Sequence, residues 1–229
     1  MRAAAFFDMD GTLLCGESQL SFLLWCWWRH LAPPVRSLWV VGRYAKYVFG
    51  MSRDGLGLRG SGFALLKGLS SERLEKLGAE FCAARLGRGL RRQAIPLVEA
   101  HRQRGHVTVL VTSACEAVAR PVADRLRVDA LIATRLATKE GVCTGARLLP
   151  EPYGAGKRLL AEEFCTDHGL SPEQSFAYGD HFTDVPLLEY VGNPGVVNPS
   201  RKLKRCALQR GWPVIDLEGA RLFLRWYER

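Results

Sequence analysis

Two carboxylates near the start of the chain are spaced for chemistry. Asp8 and Asp10 lie in the stretch FFDMDGTLL, directly after an apolar run and directly before a Gly-Thr pair. Residues two apart on an extended chain lean toward the same side, so the two side chains are expected to lie close together. Such carboxylates repel each other unless a cation lies between them or one of them keeps a proton for acid catalysis. The pair therefore indicates a metal site, an acid catalyst or both.

A second pair of acids follows a later apolar run. Asp180 and Asp184 lie in GDHFTD, after the apolar stretch SFAYG. Carboxylate oxygens, completed by water and phosphate oxygens, are the ligands that Mg²⁺ prefers, whereas zinc favours cysteine and histidine. The sequence therefore predicts a magnesium site built from Asp8, Asp10, Asp180 and Asp184.

A phosphate group held beside these acids would need positive charge and hydrogen-bond donors. Lys157 lies at the start of a predicted helix, and Thr112 and Ser113 follow the apolar run VLV. These three are the candidate phosphate ligands. A Walker loop is excluded, because Glu151 stands where its first glycine is required and Arg158 where its Ser or Thr is required.

The periodicity predicts an α/β fold with an insertion. Residues 3–9 form an apolar strand, and after residue 91 strands alternate with helices, which is typical of a doubly wound, Rossmann-like parallel sheet. Ligands bind such sheets at the carboxyl ends of the strands, where three predicted strands end in polar residues. Residues 16–90 carry helical patterns and are too long for an ordinary connection. We therefore predict a core of residues 1–15 and 91–229 with a helical cap domain of residues 16–90.

The cap is predicted to begin with an aromatic helix, and a later helix is predicted to start at Ser70 or Ser71. The apolar face predicted for the first helix consists of Leu20, Leu23, Leu24, Trp27, Trp28 and Leu31. The face predicted for the later helix carries Leu74, Leu77 and Phe81.

Composition narrows the class of protein. The 229 residues are 48% hydrophobic and 24% charged, which is usual for a folded globular protein. Seven widely spaced cysteines without CxxC pairs argue against a zinc site or a disulfide framework, so we expect a reduced, cytoplasmic protein. The net charge of +9 favours an anionic partner: a phosphorylated metabolite, an acidic membrane surface or nucleic acid.

The order of these motifs resembles a known family. DMDGT, VLVT, Lys157 and GDHFTD, with a helical insert between the first two, are similar to the haloacid dehalogenase (HAD) superfamily. The position of the insert resembles subfamily IB, whose helical cap is of the phosphoserine phosphatase kind. The second motif departs slightly, since TSA stands where relatives often have serine first. Either Thr112 or Ser113 could therefore contact phosphate, and the strand alignment favours Thr112.

The resemblance implies a mechanism. Asp8 would be the nucleophile that forms an aspartyl-phosphate, and Asp10 the general acid and base. Mg²⁺ would be held by the Asp8 side chain, the Asp10 backbone carbonyl and Asp180, with Asp184 as a ligand or support. Thr112 and Lys157 would hold the transferring oxygens. The second acid, absent from dehalogenases of this superfamily, favours phosphate over halide as the group removed. The expected activity is that of a phosphatase acting on a small phosphate ester such as phosphoserine.

The aromatic cap leaves alternatives open. Its tryptophans and basic residues are Trp25, Trp27, Trp28, Trp39, Arg36, Arg43 and Lys46. They could pack the cap's own core, accept an acyl chain or bind an anionic bilayer as a peripheral surface. A resemblance to bacterial phosphatidylglycerophosphate phosphatases supports a lipid substrate, and a peripheral membrane-binding module with a vestigial site is the non-enzymatic alternative. Nucleic acid is not expected, because no reader motif accompanies the basic helix RKLKR.

Overall fold

The computed structural model describes residues 2–29, 62–86 and 89–215, and a six-stranded sheet lies at its centre. The strands, in chain order, are β1 Ala4–Asp8, β2 Val107–Cys115, β3 Ala130–Thr134, β4 Leu136–Lys139, β5 Val142–Arg147, β6 Phe176–Gly179, β7 Asn193–Val197 and β8 Val214–Ile215. The large sheet has the order β3-β2-β1-β6-β7-β8, and all its neighbouring strands are parallel. The prediction of a doubly wound parallel sheet is confirmed.

The described helices are α1 Ser18–Trp28, α2 Ser71–Phe81, α3 Ala94–Gln103, α4 Glu116–Leu126, α5 Ala155–His168, α6 Val185–Tyr190 and α7 Arg201–Arg210. Short 3₁₀ turns span Ala64–Leu66 and Phe182–Asp184, and a π turn, Cys82–Leu86, continues α2. Both faces of the sheet are buried. Ala5 and Phe7 belong to one apolar cluster and Ala4 and Phe6 to the other, as the alternation of side chains along a strand requires.

Strand β1 lies at the point where strand order reverses. The chain runs from β1 outward through β2 and β3, then returns to the other side of β1 for β6, β7 and β8. Such a reversal leaves a crevice at the carboxyl ends of the central strands. Asp8, the last residue of β1, pairs in register with Val111 of β2 and therefore faces this crevice.

The polypeptide enters and leaves the predicted cap through paired segments. Leu14 and Leu90 form an antiparallel bridge. The Cys15 amide donates to the Gly89 carbonyl at 2.8 Å, and the Arg91 amide donates to the Leu13 carbonyl at 2.9 Å. Within the predicted cap, the structure describes α1, the 3₁₀ turn Ala64–Leu66, α2 and the π turn, whereas residues 30–61, 87 and 88 lie outside the described residues. The domain boundaries at 16 and 90 stay a prediction.

The apolar face predicted for α1 is buried only in part. Leu23 is buried, but Leu24, Trp27 and Trp28 are exposed, and Leu31 lies outside the described residues. Beside Leu23, the helix buries Ser18, Phe22 and Cys26. The first turn of α1 explains the difference, because the Ser18 amide and hydroxyl bond to Asp10 and the Gln19 side chain accepts from the Cys115 amide. These polar contacts set the rotation of the helix, and apolar spacing alone does not reveal them.

The second described cap helix agrees with its prediction. The Ser70 hydroxyl caps α2 by accepting a hydrogen bond from the Arg73 amide at 3.1 Å. The predicted apolar face, Leu74, Leu77 and Phe81, is buried.

Strands β4 and β5 form an antiparallel hairpin that the sequence analysis does not predict. Its turn places Glu140 and Gly141 at φ of 53° and 75°, as a type I′ turn requires. The hairpin forms main-chain hydrogen bonds with the segment between the 3₁₀ turn Ala64–Leu66 and α2. The Gly68 amide donates to the Cys143 carbonyl at 2.9 Å, and the Cys143 amide donates to the Leu69 carbonyl at 2.8 Å. Main-chain bonds therefore attach the predicted cap to the core chain far from residues 13–15.

Helix α2 packs closely against the first turn of α4 at a glycine. A Cβ added at Gly78 would lie 1.8 Å from the Ala117 carbonyl oxygen, which is a main-chain atom and cannot swing aside. The absence of a side chain at Gly78 therefore sets the approach of the two helices.

Replacing Gly78 with alanine should destabilise the protein. Alanine is a better helix former than glycine by about 1 kcal/mol, so helix propensity alone would stabilise the variant. A stabilised variant would therefore show that the two helices have room to separate. We expect instead that overpacking lowers the free energy of unfolding by about 1–3 kcal/mol. Urea denaturation measures this change, and Lys76→Ala at an exposed position of the same helix is the control that should lose nothing.

Candidate active site

Asp8 is a buried acid with a lysine partner. Its side chain ends β1, and the residue is 6% exposed. The Lys157 ammonium donates to Asp8 Oδ1 at 2.5 Å and to Asp184 Oδ1 at 2.7 Å. Lys157 lies in the first turn of α5 and is itself buried. One ammonium group therefore joins two carboxylates that lie 176 positions apart in the sequence.

Three carboxylates converge at the crevice. One oxygen from each of Asp8, Asp180 and Asp184 lies within 4.8 Å of the other two. Asp184 is fixed by a further bond, since its Oδ2 accepts from the His181 amide at 3.1 Å. Oxygens at this spacing match the donor set that Mg²⁺ takes from proteins.

Gly11 permits this convergence. The residue has a φ of +81°, and a Cβ there would lie 2.1 Å from Asp180 Oδ2. A side chain at this position would strain the backbone and displace Asp180. Gly11 of the Gly-Thr turn after Asp10 therefore both forms the turn and leaves space for the acidic cluster.

Burial dominates the titration of these acids. It raises the pKa of Asp8 well above its ordinary value, and the Asp184 and Asp180 carboxylates add to this while the Lys157 ammonium opposes it. Burial, followed by the Asp184 carboxylate, raises the pKa of Asp180 to about 7. The cluster thus lacks enough positive charge to stabilise all three ionised carboxylates.

Asp10 lies beside this cluster but bonds elsewhere. Its Oδ1 accepts from the Ser18 amide at 3.0 Å and its Oδ2 accepts from the Ser18 hydroxyl at 2.9 Å. Burial raises the pKa of Asp10 to about 6, and the Ser18 bonds oppose the rise. The carboxylate of Asp10 is not among the three convergent ones. Its predicted role as a metal ligand through the backbone carbonyl stays a prediction.

Thr112 and Ser113 lie at an irregular end of β2. Thr112 directly follows Val111, which pairs with Asp8, and strand pairing with β3 shifts between Thr112 and Cys115. The Thr112 hydroxyl accepts from the Ala114 amide at 3.1 Å, and the residue is buried. Ser113 is partly exposed, and its carbonyl accepts from Thr134. Strand irregularities of this kind turn side chains toward active sites, so either residue remains a candidate phosphate ligand.

Comparison with known proteins identifies this arrangement. Residues 5–189 match the family model described as haloacid dehalogenase-like hydrolase. The chain belongs to the haloacid dehalogenase-like hydrolase family. A Streptomyces azureus protein named inhibition of morphological differentiation protein is 32% identical over 219 residues, which cover 94% of this chain and 78% of that protein. A phosphoserine phosphatase of Mycobacterium tuberculosis is 30% identical over 228 residues, covering 96% of this chain and 73% of that enzyme.

Solved structures agree with this family assignment. A Bordetella pertussis protein of unknown function superimposes with a TM-score of 0.83 at 31% identity, covering 94% of this chain and 99% of that one. A substrate-bound phosphoserine phosphatase superimposes with a TM-score of 0.63 at 21% identity, covering 90% of both chains, and shows the shared fold. The predicted family, its phosphoserine phosphatase-like subgroup and the capped Rossmann-like fold are confirmed. This HAD hydrolase is an enzyme of the phosphatase type.

Several polar contacts of the HAD site are not predicted by the motifs. Ser18 bonds to both oxygens of Asp10, Gln19 accepts from the Cys115 amide at 2.7 Å, and Arg91 Nη2 donates to the Gly11 carbonyl at 3.3 Å. The sequence signal for Ser18 is weak, because a serine at the start of a helix usually bonds within that helix. Here Ser18 bonds to an acid from the preceding turn instead.

The raised pKa of Asp180 predicts a pH dependence of stability in EDTA. Folded Asp180 holds its proton to about pH 7, whereas the unfolded side chain releases it near 3.8. The native state binds more protons across that window, so the contribution of Asp180 to stability is lost as pH rises. Asp180→Asn removes this titration, so its stability relative to the wild type should increase from about pH 5 to about pH 8.

Urea denaturation at a series of pH values measures this difference. Asp167→Asn, at an exposed position of α5, is the matched control and should differ from the wild type by a constant amount. A flat difference for Asp180→Asn as well would contradict the assigned burial effect.

Proposed function

We propose that the protein is a Mg²⁺-dependent phosphomonoesterase that acts on a small phosphate ester, such as phosphoserine, through an aspartyl-phosphate. The observation that carries this proposal is the position of Asp8. It ends the central strand at the reversal of strand order, within 2.5 Å of a buried lysine and beside two further carboxylates. A carboxylate so placed can act as a nucleophile on phosphorus.

The convergent acids fit a magnesium ion. Asp8, Asp180 and Asp184 each offer one oxygen, and hard oxygen donors of this kind suit Mg²⁺ better than zinc or copper. HAD phosphatases generally use this ion. When bound, Mg²⁺ would offset the charge of the acids and of the phosphate group that they face. The three residues are therefore the proposed metal ligands.

In the first step Asp8 attacks phosphorus. A bond forms between the Asp8 carboxylate oxygen and phosphorus while the bond from phosphorus to the ester oxygen breaks. Protonated Asp10 gives its proton to the departing alkoxide, which leaves as an alcohol. Lys157, already bonded to Asp8, orients the nucleophile and offsets negative charge on the transferring oxygens, and Thr112 or Ser113 donates to them.

In the second step water hydrolyses the aspartyl-phosphate. Asp10, now ionised, takes a proton from the water as its oxygen attacks phosphorus, and the bond to Asp8 breaks. Inorganic phosphate leaves, and both acids return to their starting states. A carboxyl group with a pKa near 6 serves both roles at neutral pH, and this supports the assignment of Asp10.

A small ester is the substrate class that the comparisons favour. The similar enzyme of Mycobacterium tuberculosis is named a phosphoserine phosphatase. We infer that the predicted cap covers the crevice during attack and excludes water, as lids of such enzymes do. Phosphoserine is therefore the first substrate to test.

The membrane alternative receives no support from these relatives. Trp39, Arg36, Arg43 and Lys46, on which it partly depends, lie outside the described residues. Trp28 is 80% exposed on α1, while Trp25 packs against the core cluster. Among the described helices, none combines the length and apolar character needed to cross a bilayer.

Asp8→Asn tests the nucleophile. The amide cannot form the phosphorylated intermediate, so the rate of phosphate release should fall by more than about a hundredfold. Wild-type protein mixed with substrate and quenched in acid should carry phosphate that hydroxylamine removes, and Asp8→Asn should carry none. Asp167→Asn is the matched control with full activity. Retention of more than about a hundredth of the activity in Asp8→Asn would reject the mechanism.

A phosphate-release screen tests metal and substrate together. Phosphoserine, other small phosphomonoesters and vesicles containing phosphatidylglycerophosphate are compared with Mg²⁺ and with excess EDTA. We expect release from a small ester with Mg²⁺ and none with EDTA, because the carboxylates alone repel the phosphate. Release that persists in EDTA contradicts the metal role, and release from the vesicles alone favours the lipid substrate.

A further inference from the structure

We propose that Ser18, the first residue of α1, is the positioning residue for the general acid Asp10. The inference rests on the proposed function, since it concerns the acid of that reaction. It adds a residue that belongs to none of the four sequence motifs and lies in the predicted cap segment.

The contact between the two residues uses both oxygens of Asp10 and is partly buried. Ser18 donates its amide to one oxygen of Asp10 at 3.0 Å and its hydroxyl to the other at 2.9 Å. Ser18 is 2% exposed and Asp10 is partly exposed, so the contact is largely shielded from water on the Ser18 side. In the described part of the chain, the hydrogen bonds recorded to this carboxylate both come from Ser18. Two donors on two oxygens fix the plane of the carboxyl group as well as its position.

The start of α1 is built to receive this acid. Glu17 stands at the N-cap position, but its side chain makes no capping bond. Asp10 supplies the missing acceptor, and a carboxylate is favoured at the end of a helix where amide groups are unpaired. The bond between Asp10 and the Ser18 amide therefore stabilises the helix, and the bond to the hydroxyl sets the orientation of the acid.

A neighbouring contact keeps Ser18 in place. Gln19 Oε1 accepts from the Cys115 amide at 2.7 Å, at the end of the strand that carries Thr112 and Ser113. Residues 18 and 19 thus join α1 to two of the loops that form the crevice. The helix cannot rotate without breaking both contacts, so the direction of the Ser18 hydroxyl is fixed by the fold.

The proposal that Ser18 positions Asp10 makes a specific kinetic prediction. Proton donation matters most for esters with poor leaving groups and little for esters whose leaving group departs without a proton. Ser18→Ala should therefore lower kcat/KM for alkyl phosphates by about tenfold or more, the effect of losing one hydrogen bond to a charged group. For p-nitrophenyl phosphate the loss should be less than about threefold.

A control in the same helix separates this effect from a general weakening. The Ser21 hydroxyl donates to the Glu17 carbonyl at 2.7 Å on the exposed side of α1, so Ser21→Ala removes a hydroxyl without touching Asp10. Its kcat/KM should match the wild type for both ester classes. Ser18→Cys keeps the size of the side chain with a weaker donor and should give an intermediate loss. If thermal unfolding shows that Ser18→Ala is not folded, the same kinetic comparison is made with Ser18→Cys.

The outcomes distinguish this inference from the proposed function. Equal losses for alkyl and aryl phosphates in the Ser18 variants, or none, would overturn the positioning role while leaving a phosphatase whose nucleophile is Asp8. Absence of phosphatase activity in the wild type would instead remove the proposed function. A loss confined to poor leaving groups establishes Ser18 as the residue that positions the acid.

Discussion

The concentration of negative charge around Asp8 is the constraint on which the rest of the structure depends. Asp8, Asp180 and Asp184 lie close together and one buried ammonium group, that of Lys157, faces them. Among the described residues, the Lys157 ammonium bonds Asp8 and Asp184 but not Asp180, so full ionisation of the three carboxylates would leave excess negative charge in a largely buried site. Burial is the main cause of the raised pKa values of Asp8 and Asp180, and the neighbouring carboxylates raise them further. A divalent cation has the charge that removes this imbalance, which is why the geometry favours a magnesium enzyme.

The parallel sheet allows a folded chain to bury such a cluster of acids. Buried polar groups are costly unless they are bonded, and each acid here is supported by a separate part of the fold. Asp8 ends the central strand, Asp184 accepts from a main-chain amide, and Asp180 fits against the bare backbone of Gly11. Because the carboxyl ends of parallel strands meet at one edge, acids far apart in sequence are brought together without a long loop.

The sequence predicts best the acids that lie at the carboxyl ends of parallel strands. Asp8 and Asp180 are predicted from apolar runs that end in polar residues, Lys157 is predicted from its place at the start of a helix, and the structure brings all three together. The buried face of α1 is predicted only in part, because polar contacts of its first turn outweigh apolar spacing. The hairpin of β4 and β5 is missed for a different reason. Its strands are short, and its turn is formed by Glu140 and Gly141 rather than by the Asn-Gly or Asp-Gly pair that usually marks a type I′ turn.

The attachments of the predicted cap help to explain how Asp10 keeps its orientation. The cap segment is bonded to the core chain at the paired residues 13–15 and 89–91, and again where the hairpin meets residues 68–69. Motion about such attachments displaces distant residues most and nearby residues least. Ser18 follows directly after the first attachment, so its two bonds to Asp10 lie where main-chain hydrogen bonds join the cap segment to the core. The orientation of the carboxyl group is therefore set by residues next to this junction.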